Sequence, residues 1–139
     1  MKWIFIALIL LVGCSQAEYA VIEMKDDKIT AKIADTEEAR ERGLMYVNYM
    51  PKNEGMLFIF QDLNQYEGFW MKDTLIPLDI IFIDNDKVVD IIEAEPCVEV
   101  PCKIYYPKQK TLQVLEVNKG LSNKIGLKIG DEIKINAFS

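Results

Sequence analysis

Pro77-Leu78-Asp79-Ile80-Ile81-Phe82-Ile83-Asp84-Asn85-Asp86-Lys87-Val88-Val89-Asp90-Ile91-Ile92-Glu93 is the stretch that decides the fold class. Leu78 to Asp84 is short, rich in β-branched and aromatic residues, and preceded by a proline. Asn85-Asp86 offers a tight turn into Val88 to Glu93, a second run of the same kind, so the pair reads as a strong β-hairpin. In an extended strand Leu78, Ile80 and Phe82 occupy one face, and Asp79, Ile81 and Ile83 share the other.

The flanking chain follows the same grammar. Tyr19 to Met24 and Lys28 to Ala34 are β-rich runs on either side of Lys25-Asp26-Asp27, a second hairpin. Asp35-Thr36-Glu37-Glu38 starts a helix of about two turns, with Asp35 as its cap, Glu38 three residues on, and Gly43 as its end. Glu38 and Arg42 are spaced i,i+4, which suits a solvated face. Gly55 to Phe60 is continuous, apolar and too short for a stable helix, and Glu67 to Met71 forms a strand after a polar turn. Thr111 to Val117 alternates, Asn118 to Ile125 suits a short helix, and Gly126 to Ile135 is a turn into a last strand. With neither a repeat nor a second composition regime, these elements predict one mainly β domain. The expected form is a compact barrel or sandwich, jelly-roll-like, with one or two short helices.

The 139 residues carry 16 Lys+Arg against 22 Asp+Glu, a net charge of −6, and no histidine. The missing histidine excludes Ser-His-Asp and Cys-His nucleophile systems and every His-ligated metal site. The acidic balance argues against nucleic acid as a partner, which would call for a basic face.

Part of the apolar content is not fold. Eleven of the first thirteen residues are apolar, with Lys2 as a one-charge start and Trp3 to Val12 as a ten-residue core. A membrane span needs roughly 20 apolar residues, so residues 1–13 read as a signal peptide instead. Leu11-Val12-Gly13-Cys14 looks like the lipobox of bacterial lipoproteins, which makes Cys14 the lipidation site and the membrane a partner. The mature chain then runs from Cys14, with residues 14–26 as lipidated cysteine, tether and first strand, and 27–139 as the β-domain. Ser15 in place of an aspartate favours the outer membrane, on its periplasmic side, where two membranes exist. Outside the reducing cytosol, Cys97 and Cys102 are expected to form a structural disulfide. A redox pair would more often be Cys-x-x-Cys, and a zinc or iron–sulfur site would want four ligands.

The remaining chemistry lies in carboxylates, lysines and aromatics. Asp79, among such apolar neighbours, is either in a structural ion pair with a donor such as Lys72 or Arg42, or faces a ligand. Trp70 beside Lys72 could grip a sugar or an anionic small molecule, although such a run is often core packing with one exposed lysine. Glu54 sits in a turn from which it could reach a pocket rim. Met45, Met50, Met56 and Met71 raise Cu(I) handling, but their spacing makes no tight ligand set and methionine commonly fills core gaps. Ser122 has nothing of a nucleophile elbow around it. Paired carboxylates for glycoside hydrolysis are a question of fold rather than of sequence.

Several of these residues carry a resemblance. Arg42-Gly43-Leu44-Met45, Glu54-Gly55-Met56-Leu57-Phe58, Phe69-Trp70-Met71-Lys72, Thr74-Leu75-Ile76-Pro77-Leu78-Asp79, Pro101-Cys102 with Tyr105, and Gly130-Asp131 occur in an order and spacing similar to domain-of-unknown-function family 192. The resemblance spans about Ile29 to Ile135. It implies a small, exported or tethered, mainly β protein resembling a jelly-roll-like barrel, and it implies no activity. The family usually has asparagine where this chain has Asp73, and a carboxylate there could neutralise Lys72.

Together these features predict a lipid-anchored, extracytoplasmic β-domain that binds a ligand in a groove of Arg42, Glu54, Trp70, Lys72, Asp79 and Tyr105. An envelope glycan, a small molecule or a partner protein would suit such a groove, and neither cofactor nor metal is expected. The rival is an enzyme using carboxylate and lysine chemistry on an envelope substrate, and copper handling is a third reading.

Overall fold

The computed structural model describes residues 16–65 and 68–139. The leader, Cys14 and Glu67 lie outside these described residues. In chain order the elements are β1 (Tyr19–Met24), β2 (Asp27–Ala34), α1 (Glu37–Arg42), β3 (Glu54–Ile59), β4 (Phe69–Trp70), β5 (Leu78–Asp84), β6 (Lys87–Ala94), β7 (Ile104–Tyr105), β8 (Gln113–Asn118), α2 (Leu121–Lys124) and β9 (Ile133–Phe138). A single 3-10 turn covers Leu63–Gln65. The protein is mainly β and a single compact domain, as the hairpin reading requires.

Seven strands form one sheet in the order β6-β5-β8-β3-β2-β1-β9, and β4 and β7 form a separate two-stranded ribbon. The β5–β6 hairpin turns through Asn85 and Asp86, both at positive φ (48° and 58°), a backbone that these two residue types tolerate. The sheet is curled. Its two ends meet where Lys87, at the start of β6, bridges to Glu132, just before β9. Val88 N–H donating to the Asp131 carbonyl and Ile133 N–H to the Asp86 carbonyl reinforce that meeting point. Of the two forms expected, barrel and sandwich, the sheet takes the barrel side, closed at one corner. β2 and β3 run parallel, so the chain needs a crossover between them, and α1 lies in it.

Curling gives the sheet two buried faces, which explains why β5 reads as continuous hydrophobe. Ile81 and Ile83 point inward with Ile22, Leu57, Leu115, Val117 and Ile133. Leu78, Ile80 and Phe82 point outward, where Met56, Phe58, Phe60, Phe69 and Met71 build a second core. That outer core is roofed by the β4–β7 ribbon, with Ala39 of α1 packed against it. Leu78 to Ile83 of β5 are buried whichever face they use, and only Asp84 at the strand's end keeps partial contact with water.

Several local expectations change. Thr36, not Asp35, caps α1: its hydroxyl oxygen accepts from Ala39 N–H at 3.1 Å. Asp35 instead accepts from the Gln16 side-chain amide, and its carbonyl takes Arg40 Nη1–H. The stretch around Tyr105 contributes β7, a two-residue strand too short to leave a pattern in sequence. The disulfide expected between Cys97 and Cys102 is unchanged: the two are bonded, with their Cα atoms 5.6 Å apart.

Gly55 has a reason in the packing of β3 on β8. A Cβ at this position would stand 2.6 Å from the Glu116 carbonyl oxygen, so any side chain would push the two strands apart. Gly43 ends α1 at φ +46°, a conformation that suits glycine, and turns the chain toward Leu44 in the outer core.

Candidate binding cleft

The outer core is incompletely covered. Between α1, the end of β3, the 3-10 turn and the β4–β7 ribbon lies a cleft of about 890 Å³. Its apolar wall is Phe58, Phe60 and Phe69, with the Phe58 and Phe69 rings edge-to-face at 5.2 Å. Trp70 and Ile104 from the ribbon stand at its margin, and Trp70 is 49% exposed. Thr36, Glu37, Arg40 and Glu41 bring the charged face of α1 to the other side, so that face lines a concavity.

Glu116 is the polar residue in the middle of this apolar setting. It lies on β8 between Met56 of β3 and Ile80 of β5, only 5% exposed, and it lines the cleft. Among the described residues its carboxyl has neither a hydrogen-bond partner nor an ion pair. Burial alone pushes it up to about 8, because the charged form has lost water and gained nothing in return. At neutral pH it is chiefly a neutral acid, with an O–H to donate.

The two cleft arginines differ. Arg40 donates to the Asp35 carbonyl at 2.7 Å and the Ile59 carbonyl at 3.0 Å, and its guanidinium lies 5.2 Å from the centre of the Phe60 ring. It is a fixed brace. Arg42 is exposed and lines the cleft, with no partner among the described residues.

The six residues expected to form one groove do not share a concavity. Arg42 and Trp70 line the cleft. Lys72 lies outside the lining, its ammonium 5.2 Å from the centre of the Trp70 ring. Tyr105 packs against the outer core, with its hydroxyl accepting from Glu95 N–H at 3.2 Å and Lys103 over its ring. Glu54 is exposed at the first position of β3, at the opposite end of that strand from Phe58. Asp79 is 1% exposed, and its partners are backbone amides, not Lys72 or Arg42. Its carboxylate accepts from Gly120 N–H at 3.1 Å and Ser122 N–H at 2.9 Å, fixing the start of α2. Ser122 itself is buried there, outside the cleft lining.

Among the described residues no ion pair joins Asp73 to Lys72. Asp73 sits at φ +52° and accepts from the Tyr46 hydroxyl at 3.2 Å, an interaction that raises the tyrosine's pKa. Met50, Met56 and Met71 are buried members of the outer core, where they fill space, while Met45 lines the cleft. Among the described residues no three His, Cys, Asp or Glu side chains cluster as a metal site would require.

Comparison with known proteins bears on family and fold. The model of the DUF192 family, whose description reads "Uncharacterized ACR", matches residues 20–135. The chain belongs to the DUF192 family. It is similar to the UPF0127 protein PH1112 of Pyrococcus horikoshii, 31% identical over 105 residues, or 74% of this chain and 84% of that protein. Two crystal structures share the fold. One, from Sinorhizobium meliloti 1021, is described as a candidate transcription regulator. It has a TM-score of 0.72 and 29% identity, covering 86% of this chain and 94% of that one. The other, a protein of unknown function from Novosphingobium aromaticivorans, has a TM-score of 0.65 and 31% identity, with 89% of each chain covered. In this DUF192 chain, several motifs that carried the resemblance surround the cleft: Arg42 to Met45, Phe58, and Phe69-Trp70.

Proposed function

We propose that this DUF192 protein is a lipid-anchored, extracytoplasmic binding protein that takes a small polar-ended ligand into the cleft over β3 and β8. The observation that carries the reading is Glu116, a buried carboxyl that the fold leaves without a partner and sets in a cleft of ligand size. A core glutamate with only a packing role would be replaceable by an apolar residue at a gain in stability. Phe58, Phe60 and Phe69 supply contact area, Glu116 a donor or acceptor, and Arg42 and Trp70 a grip at the mouth. The leader pattern ending in Cys14 supports export and anchoring. A volume near 890 Å³ suits a small molecule or a short glycan fragment better than a protein surface. The candidate-regulator description of the Sinorhizobium relative finds no support in this chain, whose net charge of −6 would repel a phosphate backbone.

The test is to equilibrate purified mature protein with a total envelope extract, repurify it, and weigh the released small molecules by mass spectrometry. A species recovered with wild type should fall at least tenfold with Trp70→Ala and with Glu116→Gln. Equal recovery from all three proteins removes the cleft from contention. A carboxyl that keeps its proton near neutrality is also a general acid, which supports a second reading as an enzyme. Turnover of a bound species by wild type, with Glu116→Gln binding but not converting it, would establish that reading.

A further inference from the structure

The chain enters the sheet beside the cleft. Glu18 N–H donates to the Phe138 carbonyl at 3.2 Å, and the Glu18 carbonyl accepts from Ile33 N–H at 2.8 Å. Two residues earlier, Gln16 lines the cleft and donates to Asp35. Cys14 precedes Gln16 by two residues, and two residues reach at most about 7 Å. The polar headgroup layer on one side of a bilayer is of the same order, about 5–8 Å. A lipid on Cys14 therefore holds the cleft mouth at the headgroups, not out in bulk solvent. Half-exposed Trp70 on that mouth is the side-chain type that settles in this layer.

We infer that the cleft takes the headgroup of an ethanolamine phospholipid from the membrane that holds the anchor, an inference that rests on the anchored-binding reading above. The lining is mixed in charge, with Asp35, Glu37 and Glu41 against Arg40 and Arg42, and Glu116 stands among them as a neutral acid while the cleft is empty. Arg40 is held by carbonyls, which leaves Arg42 as the cation that can turn to a ligand. A zwitterion with one ammonium and one phosphate matches this set. The phosphate meets the Arg42 fork, and the ammonium gives its N–H donors to Glu41 and to Glu116, which releases its proton to solvent as the cation takes its place. A choline headgroup has no N–H to give. A glycerol headgroup is a net anion and would face the carboxylates of Glu37 and Glu41.

The lipidated mature protein is placed in vesicles of phosphatidylcholine alone, or with added phosphatidylethanolamine or phosphatidylglycerol, and acrylamide quenching of tryptophan is recorded. Trp3 leaves with the leader, so Trp70 is the sole tryptophan of the mature chain. The expected result is a quenching constant at least threefold lower with phosphatidylethanolamine than in the other two vesicles. Glu116→Gln should abolish that difference. So should about 20 Gly/Ser residues inserted between Ser15 and Gln16, which let the cleft drift roughly 25 Å from the surface. Equal constants in all vesicles, or protection by phosphatidylglycerol, overturn the inference, as does an ethanolamine effect that survives the insertion. Soluble glycerophosphoethanolamine separates the two readings. If it shifts Trp70 emission while the vesicles show no difference, the cleft binds and the membrane source is wrong. If neither responds, the binding reading falls as well.

Discussion

A carboxyl buried without a donor keeps its proton, and that ties the stability of the fold to pH. Glu116 titrates near 8 in the folded protein against about 4.5 in the unfolded chain. Between those values the folded state holds a proton that the unfolded state has released, so stability falls as pH rises. The contribution is fully present below about 4.5 and lost above about 8. Denaturant midpoints taken across this window should decline for wild type, and Glu116→Gln should remove the part of the slope due to this residue. Asp79 is also buried, but its side-chain oxygens already accept from the Gly120 and Ser122 amides. Asp79→Ala should destabilise the fold by about 3 kcal/mol, since hydrogen bonds to a charged group are worth more than neutral ones and two amides lose their acceptor. Trp70 emission at the cleft should not change, a contrast that one sample can report by combining unfolding with fluorescence.

At the scale of elements, the cleft depends on how closely β3 approaches β8. Gly55 permits that approach, and Gly55→Ala would set a methyl group 2.6 Å from the Glu116 carbonyl oxygen. Overpacking of this kind costs about 1–3 kcal/mol, and here it would also shift the residue that carries the site. Calorimetry should show the lower Tm, with the Glu116 titration displaced in the same variant. Elements also decide what could be read in advance. The β5–β6 hairpin was legible because its β formers and its turn residues agree, and its boundaries differ from the expectation by about a residue. Of the β4–β7 ribbon, β4 falls inside the strand expected over Glu67 to Met71, but β7 was not legible, because a strand of two residues leaves no periodic signal. Arg42 and Trp70 could be singled out as exposed chemistry beside apolar runs. Glu116 was missed although Val114, Leu115 and Val117 surround it, the same pattern that drew attention to Asp79. Which of two such carboxylates meets backbone amides and which meets a cleft depends on what packs over each face. For Asp79 that is the start of α2, and for Glu116 it is the gap under α1 and the ribbon.

At the scale of the molecule, the curl of the sheet produces the site. One face closes around the inner core, and the other must be roofed by short pieces that leave a gap. The first described residue, Gln16, lies in the lining of that gap, and the proposed anchor at Cys14 is two residues before it in sequence. Cys14→Ala should release the protein from the membrane fraction into the soluble one, measured by fractionation and blotting, while leaving Tm unchanged. Retention of the variant in the membrane would contradict the anchor. The most direct measurement for the account as a whole is the titration of Glu116 itself. It can be followed by the carbon-13 shift of its side-chain carboxyl in glutamate-labelled mature protein, assigned by Glu116→Gln. The account predicts a single transition near 8. A transition in the ordinary range near 4.5 would mean a solvated carboxylate, and the cleft would lose the neutral acid on which the reading rests.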